Sequence, residues 1–390
     1  MTVAIAVVIP TRNRDSLAIA AARSLVGQGV EIFVSDNSDA AGAVRAFCEA
    51  EDRIHYLRPP SVLAMADHWD WALRQAMAQS QATHFSVHYD RNVSKPGRWA
   101  ELAAAAARRP DDLITFTHDN ILFHPPPRRL WQVPWTGKLY AISSRRIAGL
   151  VASGQVHATA ALLPLLSNCL VPREVLDRFA ARFGSICRGA GPDSVFLARY
   201  LASNDRYLHF DCAIDILTAS ERSTGLGYLR RAGGDYADYR KTIGDGPWLP
   251  SAPVPGIDLG YNLLFHDYET VRRETGGRLP PVDRSAVLDA LASDLRWVAD
   301  PEERAELVRI LRGQGWTGEE PEPFGTRSAR WILYERMMLL RARWLGAVPA
   351  MTTGFAFRDD ATALAHALKF PRPRQDEAGH LALACPEELA

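Results

Sequence analysis

Apolar, β-branched runs alternate with helical patterns through the first half of the chain, and no other feature limits the fold as much. Val3 to Ile9 is continuously apolar, as a strand covered on both faces should be. Pro10-Thr11-Arg12-Asn13-Arg14 follows as a loop, and Asp15 or Ser16 is placed to cap a helix with apolar positions at Leu17, Ala20, Ala21 and Leu25. A second strand from Glu31 to Ser35 ends in Asp36-Asn37-Ser38-Asp39. A helix from about Ala41 to Ala50, a third strand from Arg53 to Leu57, a helix from Met65 to Ala78 and a fourth strand from Thr83 to His88 continue the series. This order predicts an α/β fold, a mainly parallel mixed sheet flanked by crossover helices.

The fourth strand runs into Tyr89-Asp90-Arg91-Asn92, then Pro96-Gly97 and an Ala-rich helix from Arg98 to Arg108. Open α/β sheets bind ligands beyond the C-terminal ends of their strands. Asp90 and Asn92 offer oxygen ligands on a short turn, which suits a hard divalent cation holding a diphosphate. The competing reading is a turn whose Asp and Asn bond only their own backbone. His88 reads as a core histidine, with an extra metal ligand as the alternative. Trp69 and Trp71 read as core, with a sugar platform as the alternative.

Further along, strands are expected from Leu113 to Thr117, Leu139 to Ser143 and Asn168 to Val171, with a surface excursion at Pro125-Pro126-Pro127. A helix from Pro172 to Phe183 leads to a Gly-rich loop, Gly184 to Gly191, and then to Pro192-Asp193-Ser194. Proline suits the first turn of a helix, and the dipole there favours an ionised carboxylate at Asp193. Arg206 to Leu217 reads as strand, and Thr218 to Leu226 as a polar loop carrying Arg222.

Prolines and glycines between Gly244 and Gly256 mark a boundary. The chain then divides into residues 1–245 and a mostly helical region, 246–390, with helices expected over about 258–275, 283–298, 301–313 and 327–345. The stretch Trp331 to Arg341 is apolar with interleaved Arg. It reads as packing on the first unit or on a partner subunit, as in a homo-oligomer, with contact on a membrane surface as the alternative. Zero net charge gives no reason to expect nucleic acid. Lysine occurs only at Lys95, Lys138, Lys241 and Lys369, so nearly every cation is Arg, a residue that grips phosphate in a fork; compositional bias of the genome accounts for this equally well. Five scattered cysteines without a CxxC pair fit buried thiols in a reducing compartment. No apolar run is long enough to span a membrane, and the first run lacks a basic n-region, so a cytoplasmic protein is expected, with peripheral membrane contact allowed.

The order Val7-Val8-Ile9-Pro10-Thr11-Arg12-Asn13-Arg14, then Val34-Ser35-Asp36-Asn37-Ser38, then an Asp-containing turn ahead of Pro-Gly, resembles family 2 glycosyltransferases of the GT-A fold over roughly residues 3–225. The resemblance implies that Pro10, Thr11, Arg12 and Asn13, with Asp36 and Asn37, hold the nucleotide. It implies that the turn at Asp90 and Asn92 holds Mg²⁺ or Mn²⁺ and the sugar diphosphate, and that Asp193 is the catalytic base. Asp36, at a strand end in a crevice, is suited to accept the ring N–H of uracil or thymine, which favours UDP or dTDP donors. The chain departs from the family where Asp90-Arg91-Asn92 replaces an acidic triplet. Metal is then expected to be weakly held, and Arg91 is placed to neutralise diphosphate itself. Arg222 lies where relatives often have a mobile segment over the donor.

The resulting expectation is an inverting transfer from a nucleotide-diphosphate sugar to a hydroxyl of a glycan, lipid-linked or protein acceptor, in bacterial surface glycan or glycoconjugate synthesis. The alternatives are a metal-independent transferase in which Arg91 or Arg222 replaces the ion, and a non-catalytic nucleotide-sugar-binding or assembly subunit.

Overall fold

A computed structural model of the chain describes residues 3–122, 128–132, 135–156, 160, 162–219, 223–231, 236, 237, 239, 249–323 and 352–357. β1 (Ile5–Thr11) is buried along its whole length and lies between β2 (Glu31–Asp36) and β4 (His84–Val87), parallel to both. β3 (Ile54–Leu57) adds a parallel strand outside β2. The crossovers are α1 (Asp15–Leu25), α2 (Ala43–Glu49) and α3 (Met65–Gln79). Side chains alternate across a strand, so β1 feeds two cores. Ile5, Val7 and Ile9 join Ala18, Ala21, Ala22 and Leu25 of α1, whereas Ala6 and Val8 join Ala72, Leu73 and Ala76 of α3. A continuous apolar run is what such a two-faced strand requires.

Beyond β4 the sheet is mixed. β9 (Cys169–Pro172) pairs antiparallel with β4 and with β6 (Ile114–Leu122). The long β10 (Arg206–Ala219) runs parallel to β6 and antiparallel to β8 (Leu139–Ser143) and to a short β5 (Asn92–Ser94). β7 (Arg128–Gln132) joins the other edge of β6, and β11 (Thr352–Phe357) joins β7. More paired residues lie in parallel than in antiparallel ladders, so the sheet is mixed and mainly parallel, with helices on both faces.

Some local details differ from the sequence reading. Neither Asp15 nor Ser16 caps α1: Arg14 holds the cap position without a side-chain cap bond, and Asp15 accepts from the Ala43 amide at 2.6 Å. β5 pairs with the far end of β10, which carries Asn92 into a strand. The loop expected over Thr218 to Leu226 gives way to a helix at Thr224, and a strand, β11, stands beyond the helices expected in the mostly helical region. Pro125-Pro126-Pro127, Arg222, Cys385 and the stretch Trp331 to Arg341 lie outside the described residues. The other four cysteines are buried free thiols.

Further helices are α4 (Arg98–Ala107), α5 (Ser144–Ala152), α6 (Arg173–Phe183), α7 (Pro192–Ser203), α8 (Thr224–Arg230), α9 (Gly260–Glu274), α10 (Arg284–Asp294) and α11 (Pro301–Gly313). Residues on both sides of the expected boundary share one core: Phe265, Tyr268, Leu291 and Trp316 pack in the same cluster as Phe85, Val171, Phe179 and Phe196. No helix among the described residues is long and apolar enough to cross a membrane. α9 lies against α7 and clamps the Gly-rich loop ahead of it. The buried Asp267 carboxylate accepts from the Ala190 and Gly191 amides at 2.9 and 2.8 Å and from the Ser194 hydroxyl. The packing at Gly191 is close: a Cβ there would stand 2.7 Å from both the Leu263 side chain and Ser194 Oγ, so both would have to shift.

Asp267→Ala leaves the Ala190 and Gly191 amides in that interface without their acceptor, while the Ser194 hydroxyl keeps the Gly191 carbonyl at 2.9 Å. Orphaned buried donors cost about 1–3 kcal/mol each before relaxation. Chemical denaturation should show a loss of about 2–4 kcal/mol on that scale, and a loss of a few tenths would show that the clamp does not hold the loop.

Candidate functional site

A cleft of about 430 Å³ opens beyond the C-terminal ends of β1, β2 and β4, within the usual range for small-ligand sites. It is closed on one side by the starts of α3 and α7 and on another by α8 and α9, whose Tyr228, Leu229, Leu263 and Leu264 form an apolar wall. Of the residues expected at the site, Pro10, Thr11, Arg12, Asn37, Asp90, Arg91 and Asp193 line this cleft. Residues from four separate segments therefore meet where the fold predicts a ligand.

Asn13, Asp36 and Asn92 do not line it. Asn13 takes a left-handed backbone with φ 53°, which Asn tolerates better than most residues. Its amide exchanges bonds with Asp39, donating to the carboxylate and accepting from the backbone N–H, both at 3.1 Å, and so stitches two loops together. Asp36 is fully buried. One carboxylate oxygen accepts from the Tyr56 hydroxyl at 2.8 Å and from Arg58 at 3.0 Å, and the other from the Ser38 amide at 2.9 Å. Its partners hold it beneath the loop, so the expected placement facing a nucleobase is corrected. Asn37 faces the cleft but spends both ends of its amide on the backbone of Leu63.

The backbone around Asp90 explains why Asn92 is absent. The Asn92 amide donates to the Tyr89 carbonyl at 3.0 Å, closing a four-residue turn. Asp90 and Arg91 occupy the centre of that turn and face the cleft, whereas Asn92 enters β5 and is wholly buried, with neither amide atom bonded among the described residues. Asp90 already has partners. It accepts from the Thr11 hydroxyl at 2.9 Å, and Arg14 Nη1 lies 3.3 and 3.4 Å from its two oxygens. His88 is a core residue, bonded to Ser94 Oγ at 3.0 Å and 3.4 Å from the buried Asp215. Burial alone would raise the Asp215 carboxyl, but His88, His118 and Ser94 more than offset it and lower its pKa.

A hard divalent ion needs several oxygen ligands, charged ones above all. Here one expected ligand is turned away, the other is paired with a guanidinium, and Arg12 and Arg91 line the same cleft. No group of three His, Cys, Asp or Glu converges among the described residues. The donor set does not fit Mg²⁺ or Mn²⁺.

Asp193 sits in the first turn of α7, directly after Pro192, as the loop and proline predict. The Tyr89 hydroxyl donates to its Oδ2 at 2.7 Å, and the Ser167 amide donates to its Oδ1 at 3.1 Å. The Ser167 hydroxyl in turn donates to the Tyr89 oxygen at 2.8 Å. Burial raises the Asp193 carboxyl above its ordinary value, and the bonds from Tyr89 and Ser167 act against that rise. Burial also raises Tyr89, which keeps its phenol protonated and donating. The carboxylate is held by these bonds, and Asp193, largely buried, lines the cleft.

Sequence reasoning left out Arg14, Tyr89, Ser167 and His68. Arg14 and Tyr89 stand inside the quoted motifs, next to residues that were chosen. Ser167 carries no local signal. His68, in the α3 pattern, lines the cleft and bonds Ser35 Oγ at 2.8 Å; burial lowers it to about 3, so it is neutral. Trp69 lines the cleft and also packs in the core, with its ring 5.7 Å from that of Tyr89.

The sequence matches no protein-family model and no curated protein. Among solved structures, the chain overlays on S. aureus TarS residues 1–349 with a TM-score of 0.42 at 12% identity, covering 80% of this chain and 87% of that one. The complex of that protein with UDP-GlcNAc gives a TM-score of 0.45 at 11% identity, covering 90% and 97%. Overlap this loose defines neither a family nor an activity.

A hydrogen bond to the ionised form stabilises that form. Tyr89→Phe removes one from Asp193, so the Asp193 pKa should rise further. Titration of ¹³C-labelled carboxyl groups by NMR, with Asp193→Asn for assignment, reads this directly. An unchanged or lowered midpoint would show that Tyr89 does not hold the carboxylate.

Proposed function

We propose that the chain is a GT-A-type glycosyltransferase that moves a sugar from a nucleoside-diphosphate donor, UDP or dTDP, to an acceptor hydroxyl with inversion. The observation that carries this reading is the Asp193 carboxylate, oriented by Tyr89 and Ser167 in a cleft that Arg12, Arg14 and Arg91 also line. A hydroxyl is a poor nucleophile, so transfer needs a base within reach of its proton. A raised pKa strengthens a carboxylate as a base, provided it remains ionised near neutrality.

In the reaction the acceptor oxygen attacks the anomeric carbon from the face opposite the leaving group. The new C–O bond forms as the anomeric C–O bond to the diphosphate breaks. The hydroxyl proton passes to Asp193, and the bonding pair leaves with the nucleoside diphosphate. In-line displacement requires the base and the groups that receive the diphosphate to act from opposite sides of the reacting carbon. The nucleoside in this proposal sits near Pro10, Thr11 and Asn37, which line the cleft beyond β1 and β2, with Asp36 as the buried support of that loop. The apolar wall of α8 and α9 excludes water, which would otherwise compete with the acceptor. We place this activity in the synthesis of surface glycans or glycoconjugates, with a glycan, lipid-linked or protein acceptor.

Asp193→Asn keeps the shape and removes the proton acceptor. With a panel of UDP- and dTDP-sugars and hydroxyl acceptors, nucleoside diphosphate release should fall by roughly 10²- to 10⁴-fold. Donor affinity by calorimetry and the melting temperature should stay near wild type. A near wild-type rate in the folded variant would remove Asp193 from the mechanism.

A further inference from the structure

We infer that the diphosphate is held by guanidinium groups instead of a divalent cation, with Arg14 taking the place that a metal would fill beside Asp90. The inference rests on the nucleoside-diphosphate reading of the cleft. Asp90 is the one carboxylate on the turn, and its closest cation is Arg14, whose side chain is 11% exposed. The same guanidinium donates through Nη2 to Thr224, at the start of α8. Arg14 thus ties the Asp90 turn to the helix that closes the cleft, and a metal bound to Asp90 would have to displace it.

The arrangement is loose in a way that favours an incoming anion. Charge-assisted N–H···O bonds settle at about 2.7–2.9 Å, whereas Arg14 stands 3.3 and 3.4 Å from the Asp90 oxygens. Arg12 is held through Nη2 by the exposed Asp39, and its Nε and Nη1 are buried at the cleft without a partner among the described residues. Arg91 stacks on the Tyr89 ring, 4.9 Å from its centroid, with Nη1 3.3 Å from the Thr218 carbonyl. Three guanidiniums, those of Arg12, Arg14 and Arg91, therefore line the cleft. A diphosphate supplies paired anionic oxygens that match the guanidinium fork. As the leaving group departs, its growing charge falls on donors already in position.

Calorimetry on the whole chain tests this with UDP and with inorganic pyrophosphate. Both should bind in excess chelator, and UDP should bind no more tightly in excess Mn²⁺. Arg14→Gln should weaken both by about 10- to 100-fold, the scale of one hydrogen bond to a charged group. Asp90→Asn separates the two pictures even if Arg14→Gln fails to fold. With the competing negative charge gone, Arg14 should bind pyrophosphate more tightly in chelator, whereas a metal ligand lost at this position would abolish metal-dependent UDP binding. UDP binding only with Mn²⁺, or loss of UDP binding in a folded Asp90→Asn variant, overturns this inference and leaves the transferase reading standing. Pyrophosphate binding without UDP binding supports the anion site and sinks the nucleotide reading. Failure of both ligands under every condition overturns the anion site.

Discussion

The pairing of Arg14 with Asp90 is the interaction on which the rest of the cleft depends. It joins the loop after β1 to the turn after β4, and Thr11 adds a hydroxyl bond to the same carboxylate. Both partners are largely buried, so each has given up hydration and needs the other. Truncating one partner of such a pair costs about 3–5 kcal/mol, because the remaining charge is stranded, whereas an amide at position 90 still offers Arg14 an oxygen. The turn beneath is stiffened by the buried contacts of His88 and Trp99 with Ser94, and of Ser94 with Asp215. The result is a rim with fixed charges, and fixed charges in a water-poor cleft act more strongly than mobile ones in solvent.

The second device is the seat of Asp193. Its helix is held from behind by α9, through Asp267 and the close approach at Gly191. Its carboxylate is held from the front by Tyr89 and Ser167. Tyr89 belongs to the same turn as Asp90, so the cationic rim and the carboxylate are set by one rigid piece of backbone. The C-terminal helices therefore share in building the site, since they close the cleft and share the core of the sheet.

Much of this was legible in the sequence because its causes are local. The two-faced burial of β1 shows in an unbroken apolar run, and Gly191-Pro192-Asp193 spells out a helix start with a carboxylate in its first turn. The roles of Asp36 and Asn92 were not legible, because partners distant along the chain decide them. Asp36 is claimed by Tyr56 and Arg58, and Asn92 by the end of β10, more than a hundred residues away. The same holds for Arg14 with Asp90 and for Tyr89 with Asp193, separated by 76 and 104 positions. Charge pairing over such distances leaves no period or spacing to read. A motif can therefore be in place while its ligand is engaged elsewhere, as the turn at Asp90 shows.

The most direct test is a crystal structure of the complex with UDP or a UDP-sugar, grown with Mn²⁺ and measured at the manganese absorption edge. The account predicts diphosphate oxygens within hydrogen-bond distance of Arg14 and of Arg12 or Arg91, the sugar between them and Asp193, and no anomalous peak at Asp90. An anomalous peak bound by Asp90 and the diphosphate, with Arg14 swung away, would contradict it.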